Sequence, residues 1–123
     1  MKFQATITGW GQLATDFLNP DCNFIIIFNE DAPPELAEIS VLHTKSEVTE
    51  EPKKGDLMTV CNKNYIITDV GWEAIMTLRE LGHCTVSFNG AEKAPRPGMI
   101  ELAGLPFTAE DLHLNGKLEI KEL

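Results

Sequence analysis

The sequence predicts an all-β protein, mainly antiparallel, that folds as a small closed or nearly closed barrel with one short amphipathic helix near residues 71–81. Three observations support this prediction. Apolar and polar residues alternate with a period of two along most of the 123 residues, clusters of Gly, Pro, Asn and Asp interrupt the alternation, and a helical period occurs in one segment only. So many short strands would leave free edges in an open sheet, and closure removes them.

Eight strands are expected, each bounded by residues that favour turns. They are residues 2–8, 24–28, 39–45, 57–61, 65–70, 83–88, 99–103 and 117–123. In the first strand, Phe3, Ala5 and Ile7 share one face, which is therefore expected to point into the core. The second strand is an uninterrupted apolar run, which is typical of a central strand covered on both faces.

The connections between these strands follow from their turn-forming residues. Two prolines in segment 29–34 end the second strand, and a short helical turn is expected around residues 35–38. Residues 46–56 mix charges of both signs with Pro and Gly, which is typical of a solvated loop. Asn62-Lys63-Asn64 is expected to close a hairpin, because Asn tolerates a left-handed backbone. Asn89-Gly90 is a further tight-turn signal.

The helix is expected between the fifth and sixth strands. Its apolar residues at helical spacing are Trp72, Ile75, Met76 and Leu78. Gly82 is placed to end the helix with a positive φ, and this gives about three turns. Further along the chain, Thr108 and Asp111 are placed to cap a short turn.

Composition excludes several classes of function. The chain carries 10 Lys and Arg against 19 Asp and Glu, a net charge of −9, which disfavours nucleic acids and anionic membranes and favours a partner with a basic docking patch. Its longest apolar run has five residues, far fewer than the ~20 that cross a bilayer, and the first ten residues do not resemble a secretion signal. We therefore expect one soluble intracellular domain over residues 1–123, without membrane insertion.

No cofactor or metal site is indicated. Cys22, Cys61 and Cys84 are odd in number and contain no CxxC pair, and no histidines occur at i, i+4 spacing. The motifs of common nucleotide-binding proteins, hydrolases and kinases are also absent. The cysteines are expected to be reduced and mostly buried.

His43 is the best candidate for chemistry. It lies in the segment VLHTKSEV, where Thr44 and Ser46 could donate hydrogen bonds to phosphoryl oxygens and Lys45 would supply positive charge. A neutral imidazole is also a usable nucleophile. The alternative is an ordinary half-buried histidine at the end of a strand, and the motif by itself leaves that alternative open.

The other two histidines have weaker claims. His83 follows the glycine that ends the helix, a place where a histidine commonly has a structural role. His113 lies in DLHLNG and is expected in a solvent-facing turn.

The chain resembles the glucitol/sorbitol-specific enzyme IIA components of the bacterial sugar phosphotransferase system. The resemblance is carried by VLHTKSEV (41–48), VGWEAIMTLRELGHCTVSFNG (70–90) and PGMIELAG (97–104), and it extends over almost the whole sequence. It implies a small closed β-barrel in the cytoplasm that carries a phosphoryl group for glucitol or sorbitol uptake. The implied donor is phospho-HPr, and the implied acceptor is the cognate enzyme IIB of the IIB/IIC sugar permease.

The resemblance also implies roles for individual residues. His43 matches the phosphoacceptor, expected to be exposed in a shallow apolar depression so that two proteins can reach it in turn. His83 matches a recurrent histidine and would orient the phosphoryl group or bond its oxygens, a structural role being equally compatible. Some relatives have a second histidine where this chain has Lys45. The alternative function is a non-catalytic β-barrel module that recruits a partner through its acidic surface.

Overall fold

The computed structural model describes residues 1–123 and contains eight β-strands, two α-helices and one short 3-10 helix. The strands are β1 (Phe3–Trp10), β2 (Phe24–Asn29), β3 (Val41–His43), β4 (Leu57–Val60), β5 (Lys63–Val70), β6 (Cys84–Ser87), β7 (Met99–Ala103) and β8 (Lys117–Lys121). The helices are α1 (Pro34–Ala37) and α2 (Trp72–Leu81), and the 3-10 turn is Ala109–Asp111. Thr108 and Asp111 form a reciprocal capping box at that turn, as the sequence predicts.

The eight strands form a closed barrel in the order β1-β3-β2-β6-β7-β5-β4-β8. Six of the eight neighbouring pairs are antiparallel, and β2–β3 and β6–β7 are parallel. The prediction of a mainly antiparallel closed barrel with one short helix near residues 71–81 is confirmed. Closure pairs β1 with β8, so neither strand presents an unpaired edge.

The barrel interior is filled by the inward faces of the strands. Phe3, Ala5 and Ile7 of β1 are buried as their alternation predicts, and they belong to a cluster of 24 buried residues. The apolar strand β2 differs from its prediction, because Ile25 and Ile27 point inward but its outward face is only partly covered. A strand of a closed barrel needs to bury only the face that points into the barrel interior.

Two turns also differ from their predictions. The β4–β5 hairpin is closed by Cys61-Asn62, both with positive φ (49° and 70°), and Val60 pairs directly with Lys63. A two-residue turn of this kind matches the twist of the strands better than the predicted three-residue loop. Gly90 has the expected positive φ of 63°, but it begins a long connection between the parallel strands β6 and β7.

Helix α2 packs on the barrel through Ala74 and Leu78. Trp72, Met76 and Leu81 of the same helix are exposed and Ile75 is half-buried, so the apolar pattern predicts the helix but not its buried face. Gly82 ends the helix at φ 61°, and the N–H groups of Gly82 and His83 donate to carbonyls of the last turn. The end of α2 is therefore fixed close to β3.

The charged segment 46–56 is anchored more firmly than its composition suggests. Val48 and Pro52 are buried, and the buried Asp56 accepts a hydrogen bond of 2.7 Å from the Lys2 ammonium. The backbone N–H of Thr49 donates to the Lys2 carbonyl at 2.9 Å. These contacts hold the residues that follow β3 against the barrel.

The longest helix has ten residues, and none of the helices is both long and apolar enough to span a membrane.

Candidate functional site

His43 lies at the end of β3, between β1 and β2. It pairs with Ile7 in antiparallel register on one side and with Asn29 in parallel register on the other. Its inward position follows from strand alternation, because Val41, two residues earlier, is fully buried on the same face. The imidazole meets the ring of Phe3 edge to face, with centroids 5.7 Å apart.

Both ring nitrogens of His43 lie against backbone carbonyls. Nδ1 is 2.8 Å from the carbonyl oxygen of Thr44, and Nε2 is 2.7 Å from that of Gly82. A neutral imidazole has one N–H and can donate to only one of these oxygens, whereas an imidazolium donates to both. For the ring to act as a nucleophile, one nitrogen must therefore turn its lone pair away from its carbonyl.

The expectation that His43 is exposed in a shallow apolar depression is wrong. Its side chain is 0 % exposed, and the space beside it is polar. The physical reason lies in the end of α2, which places the Gly82 carbonyl oxygen 2.7 Å from Nε2 of the ring. Strand periodicity predicts the inward face of β3 but does not predict which segment covers its end.

A cavity of about 430 Å³ lies between the end of β2, the end of α2 and the residues that follow β3. It is lined by Phe28, Asn29, Asp31, Lys45, Ser46, Glu47, Arg79, Glu80 and Leu81. Two of these residues, Asn29 and Leu81, are the strand neighbour of His43 and the chain neighbour of Gly82. His43 itself does not line the cavity, but these two residues connect its surroundings to the cavity wall.

The backbone of Gly82 packs closely on the Asn29 amide and on the His43 ring. A Cβ atom built at this glycine would lie 2.1 Å from Asn29 Oδ1 and 2.7 Å from His43 Cε1. No other residue type fits without moving the amide or the ring. Gly82 is thus needed for its positive φ and also for this close approach.

The cavity contains charges of both signs. Lys45 is paired with Asp31 at 2.7 Å, and this hydrogen bond lowers the pKa of Asp31 and raises the pKa of Lys45. Arg79 is 3.4 Å from Glu51. Glu47 and Glu80 have no such cation, so the acidic groups outnumber the basic ones around the opening.

The two predicted hydroxyl donors have different positions. Ser46 is half-buried and lines the cavity, where its hydroxyl is available to a ligand. The hydroxyl oxygen of Thr44 accepts the backbone N–H of Thr6 at 3.1 Å, so it is part of the β1–β3 contact. The carbonyl of Thr44 is the group that contacts His43.

His83 is near the site but does not line the cavity. Its Nδ1 lies 3.2 Å from the carbonyl oxygen of Ile27, and its ring packs on Phe28 with centroids 4.7 Å apart. Because Phe28 is a cavity wall, His83 supports that wall from behind. His113 is exposed, as predicted, with Nδ1 2.9 Å from the Asp111 carbonyl.

Sequence reasoning missed Asn29. It belongs to a segment that its prolines and acidic residues mark as a turn, and nothing in that pattern predicts that it ends β2 beside His43. Its Oδ1 is buried and has no hydrogen-bond partner. An unpartnered buried acceptor costs about 1–3 kcal/mol, so this position is not optimised for stability.

No three His, Cys, Asp or Glu side chains are grouped in a way that could hold a metal ion. The three cysteines are free, and Cys61 and Cys84 are buried. Burial raises the pKa of Cys84 to about 12, which keeps this thiol protonated and unreactive at neutral pH. The site therefore rests on His43 and the polar groups around it.

Comparisons with known proteins agree on one family. The family model described as the PTS system glucitol/sorbitol-specific IIA component matches residues 2–118. The PTS system glucitol/sorbitol-specific EIIA components of Shigella flexneri and Escherichia coli (strain K12) are 37% and 36% identical to this chain over 102 residues, which is 83% of this chain and 81% of each relative.

A solved structure shows the same fold. The crystal structure of a PTS system IIA component from Enterococcus faecalis V583 superposes with a TM-score of 0.76 at 24% identity, and the match covers 94% of this chain and 97% of that one.

Proposed function

The chain belongs to the glucitol/sorbitol-specific IIA component family of the PTS system, and from this premise we propose that His43 carries the phosphoryl group. Members of this family are phosphotransferase components that carry phosphoryl groups. The observation that supports this assignment best is the placement of the ring. Its Nε2 lies 2.7 Å from the carbonyl oxygen of Gly82, whose chain neighbour Leu81 lines the polar cavity, and its strand partner Asn29 lines that cavity as well.

Attack through Nε2 requires one of the two tautomers, the one that donates to the Thr44 carbonyl. With its proton on Nδ1 and donated to the Thr44 carbonyl, the ring has its lone pair on Nε2. In the structure Nε2 faces the Gly82 carbonyl, and two lone pairs at 2.7 Å repel each other. Acceptance of a phosphoryl group therefore requires a shift of the ring or of the Gly82 segment that turns Nε2 toward the cavity.

The transfer itself balances without any further reactant. The P–N bond of the donor phosphohistidine breaks, its electron pair returns to the donor imidazole, and the Nε2 lone pair of His43 forms the new N–P bond. Positioning and neutralisation of the phosphoryl oxygens are the main tasks of the protein in such a step. Ser46 and Lys45, both on the cavity wall, are the groups of this segment that can meet those oxygens. Thr44 contributes through its carbonyl.

The donor in this proposal is phospho-HPr, and the acceptor is the enzyme IIB of a glucitol or sorbitol permease. Membership of the family supports this proposal, and the names of its members, which include glucitol and sorbitol, support the sugar. The acidic surface supports a partner with a basic docking face. The same proposal assigns this chain to the cytoplasm.

The test is phosphorylation by phosphoenolpyruvate, enzyme I and HPr. The wild-type chain should gain one phosphoryl group that is labile in acid and stable in base, as a phosphoramidate is. His43→Ala should gain none, and the exposed His113→Ala is the matched control that should be labelled normally. Labelling of His43→Ala would refute the assignment, and a chain that is never labelled would point to the binding-module alternative.

The role of His83 needs its own pair of variants. If His83 reaches the phosphoryl oxygens, His83→Ala should slow transfer by about 10²–10³, and His83→Gln, which keeps a donor, should be milder. If it acts only through Phe28 and the Ile27 carbonyl, His83→Ala should lower the melting temperature while the folded protein transfers normally.

A further inference from the structure

The amide of Asn29 has no hydrogen-bond partner in the protein, although it lies beside His43. Its Oδ1 is buried against Gly82, without a donor. Its Nδ2 also makes no hydrogen bond within the chain, but unlike Oδ1 this atom is not buried. The amide therefore has its acceptor end packed inward and its donor end accessible.

That donor end belongs to the cavity wall. Asn29 lines the 430 Å³ cavity together with Ser46 and Lys45, and its backbone pairs with His43 in parallel register. In a parallel pair, directly opposite residues lie about 5 Å apart, which is within reach of a group bonded to one of them. Of the cavity residues, Asn29 is the only one that is a strand partner of the histidine.

We propose that Asn29 is a phosphoryl-binding residue of this site, whose Nδ2 donates a hydrogen bond to an oxygen of the phosphoryl group on His43. This inference rests on the proposed function of His43. A phosphoryl oxygen is a strong acceptor, and a preoriented amide donor stabilises the charge that spreads over the equatorial oxygens during transfer. Packing of Oδ1 against Gly82 holds the amide in the orientation that presents Nδ2.

Two substitutions remove the donor in different ways. Asn29→Asp keeps the shape and replaces the amide NH₂ with an anionic oxygen, which repels the phosphoryl group. Asn29→Ala removes the whole amide, including the unpartnered Oδ1. Asn64→Asp is the matched control, because it makes the same charge change at an exposed residue in the β4–β5 hairpin.

We expect Asn29→Ala and Asn29→Asp to lose roughly 10²-fold in phosphoryl transfer, with Asp the more severe, while Asn64→Asp keeps the wild-type rate. The loss should occur with phospho-HPr and also with phosphoramidate, a small donor that needs no protein docking. The ³¹P resonance of the phosphohistidine should shift in both Asn29 variants. The melting temperature of Asn29→Ala should not fall, because an unsatisfied buried acceptor has been removed.

Each result has a definite meaning. Wild-type transfer rates in both Asn29 variants would overturn the role of Asn29 and leave His43 in place. A loss confined to phospho-HPr would make Asn29 a partner contact, and a loss that merely follows a lower melting temperature would make it structural; either would overturn the proposal. A wild-type chain that is not labelled, or a labelled His43→Ala, would overturn the function of the site and this inference with it.

Discussion

Lys2 shows how one side chain can hold a distant segment in place. Its ammonium is almost fully buried, donates to Asp56 at 2.7 Å and lies 3.3 Å from a carboxylate oxygen of Glu50. The hydrogen bond to Asp56 is the largest influence that raises the pKa of Lys2 above its ordinary value of 10.5. Charged ammonium is therefore favoured in the folded state.

This residue gives a prediction about alkaline pH. A folded-state pKa above the unfolded value means that the contribution of Lys2 to stability is complete below about pH 10.5 and is lost as the pH rises through the elevated pKa. Lys2→Met should destabilise the protein by about 3 kcal/mol at neutral pH, because it leaves Asp56 buried without its cation. Thermal unfolding of both proteins from neutral to strongly alkaline pH should show the difference in melting temperature shrinking.

Lys53→Met is the control for this measurement. Lys53 also carries one positive charge, but it is exposed and its ion pair with Glu122 is long, at 3.9 Å. Its loss should therefore cost little stability at any pH. A Lys2→Met difference that stays constant through the alkaline range would contradict the buried ion pair.

At the scale of elements, the end of α2 is the feature that shapes the site. The carbonyl oxygen of its cap residue, Gly82, lies 2.7 Å from His43 Nε2, and the Gly82 backbone packs against Asn29. The Thr77 hydroxyl donates to the carbonyl of His83 and ties the turn together. The helix, the strand β2 and the strand β3 therefore meet at one point.

Substitution of Gly82 tests this meeting point. Gly82→Ala should cost about 1–2 kcal/mol for the positive φ and more for the collision with the Asn29 amide, measured by chemical denaturation. It should also broaden or shift the His43 imidazole resonances in NMR spectra, because the Cβ would meet Cε1.

Gly55→Ala is the reference for the backbone term alone. Gly55 also has a positive φ, and a Cβ there has nothing within 4 Å. Equal losses of stability in the two variants, with unchanged His43 resonances, would show that the close packing at Gly82 is unimportant.

The strands and α2 could be predicted because their signals are local. Alternation in β1 and the helical period before Gly82 depend on residues close in the chain, and the observed bounds differ from the prediction by few residues. The burial of His43 and the position of Asn29 could not be predicted, because both depend on the pairing of β2 with β3 and on a helix end 39 residues away in sequence. Periodicity contains no information about such contacts.

At the scale of the whole molecule, charge is the dominant property. The net charge is −9, and exposed carboxylates such as Glu47 and Glu80 border the cavity. A field of this sign accelerates encounters with a basic protein far more than it strengthens the final complex.

The rate of transfer from phospho-HPr should therefore fall as salt is added. Screening limits the attraction to about 10 Å at 0.1 M ionic strength, so the decrease should be seen at limiting protein concentration between low and moderate salt. Phosphoramidate is the control donor, because its labelling of His43 needs no steering between protein surfaces. A protein-to-protein rate that does not change with salt would remove the acidic surface from the encounter.

The strand order has a consequence for the way the chain folds. The barrel closes by pairing Phe3 with Ile120. His43 pairs with Ile7, and its ring contacts the carbonyl of Gly82. Such pairings join residues far apart in sequence, and their loop-closure entropy is paid before the contacts form, which places folding in the slow range of small domains, about milliseconds to seconds. The site should therefore assemble together with barrel closure, with no folding intermediate that already binds a phosphoryl group.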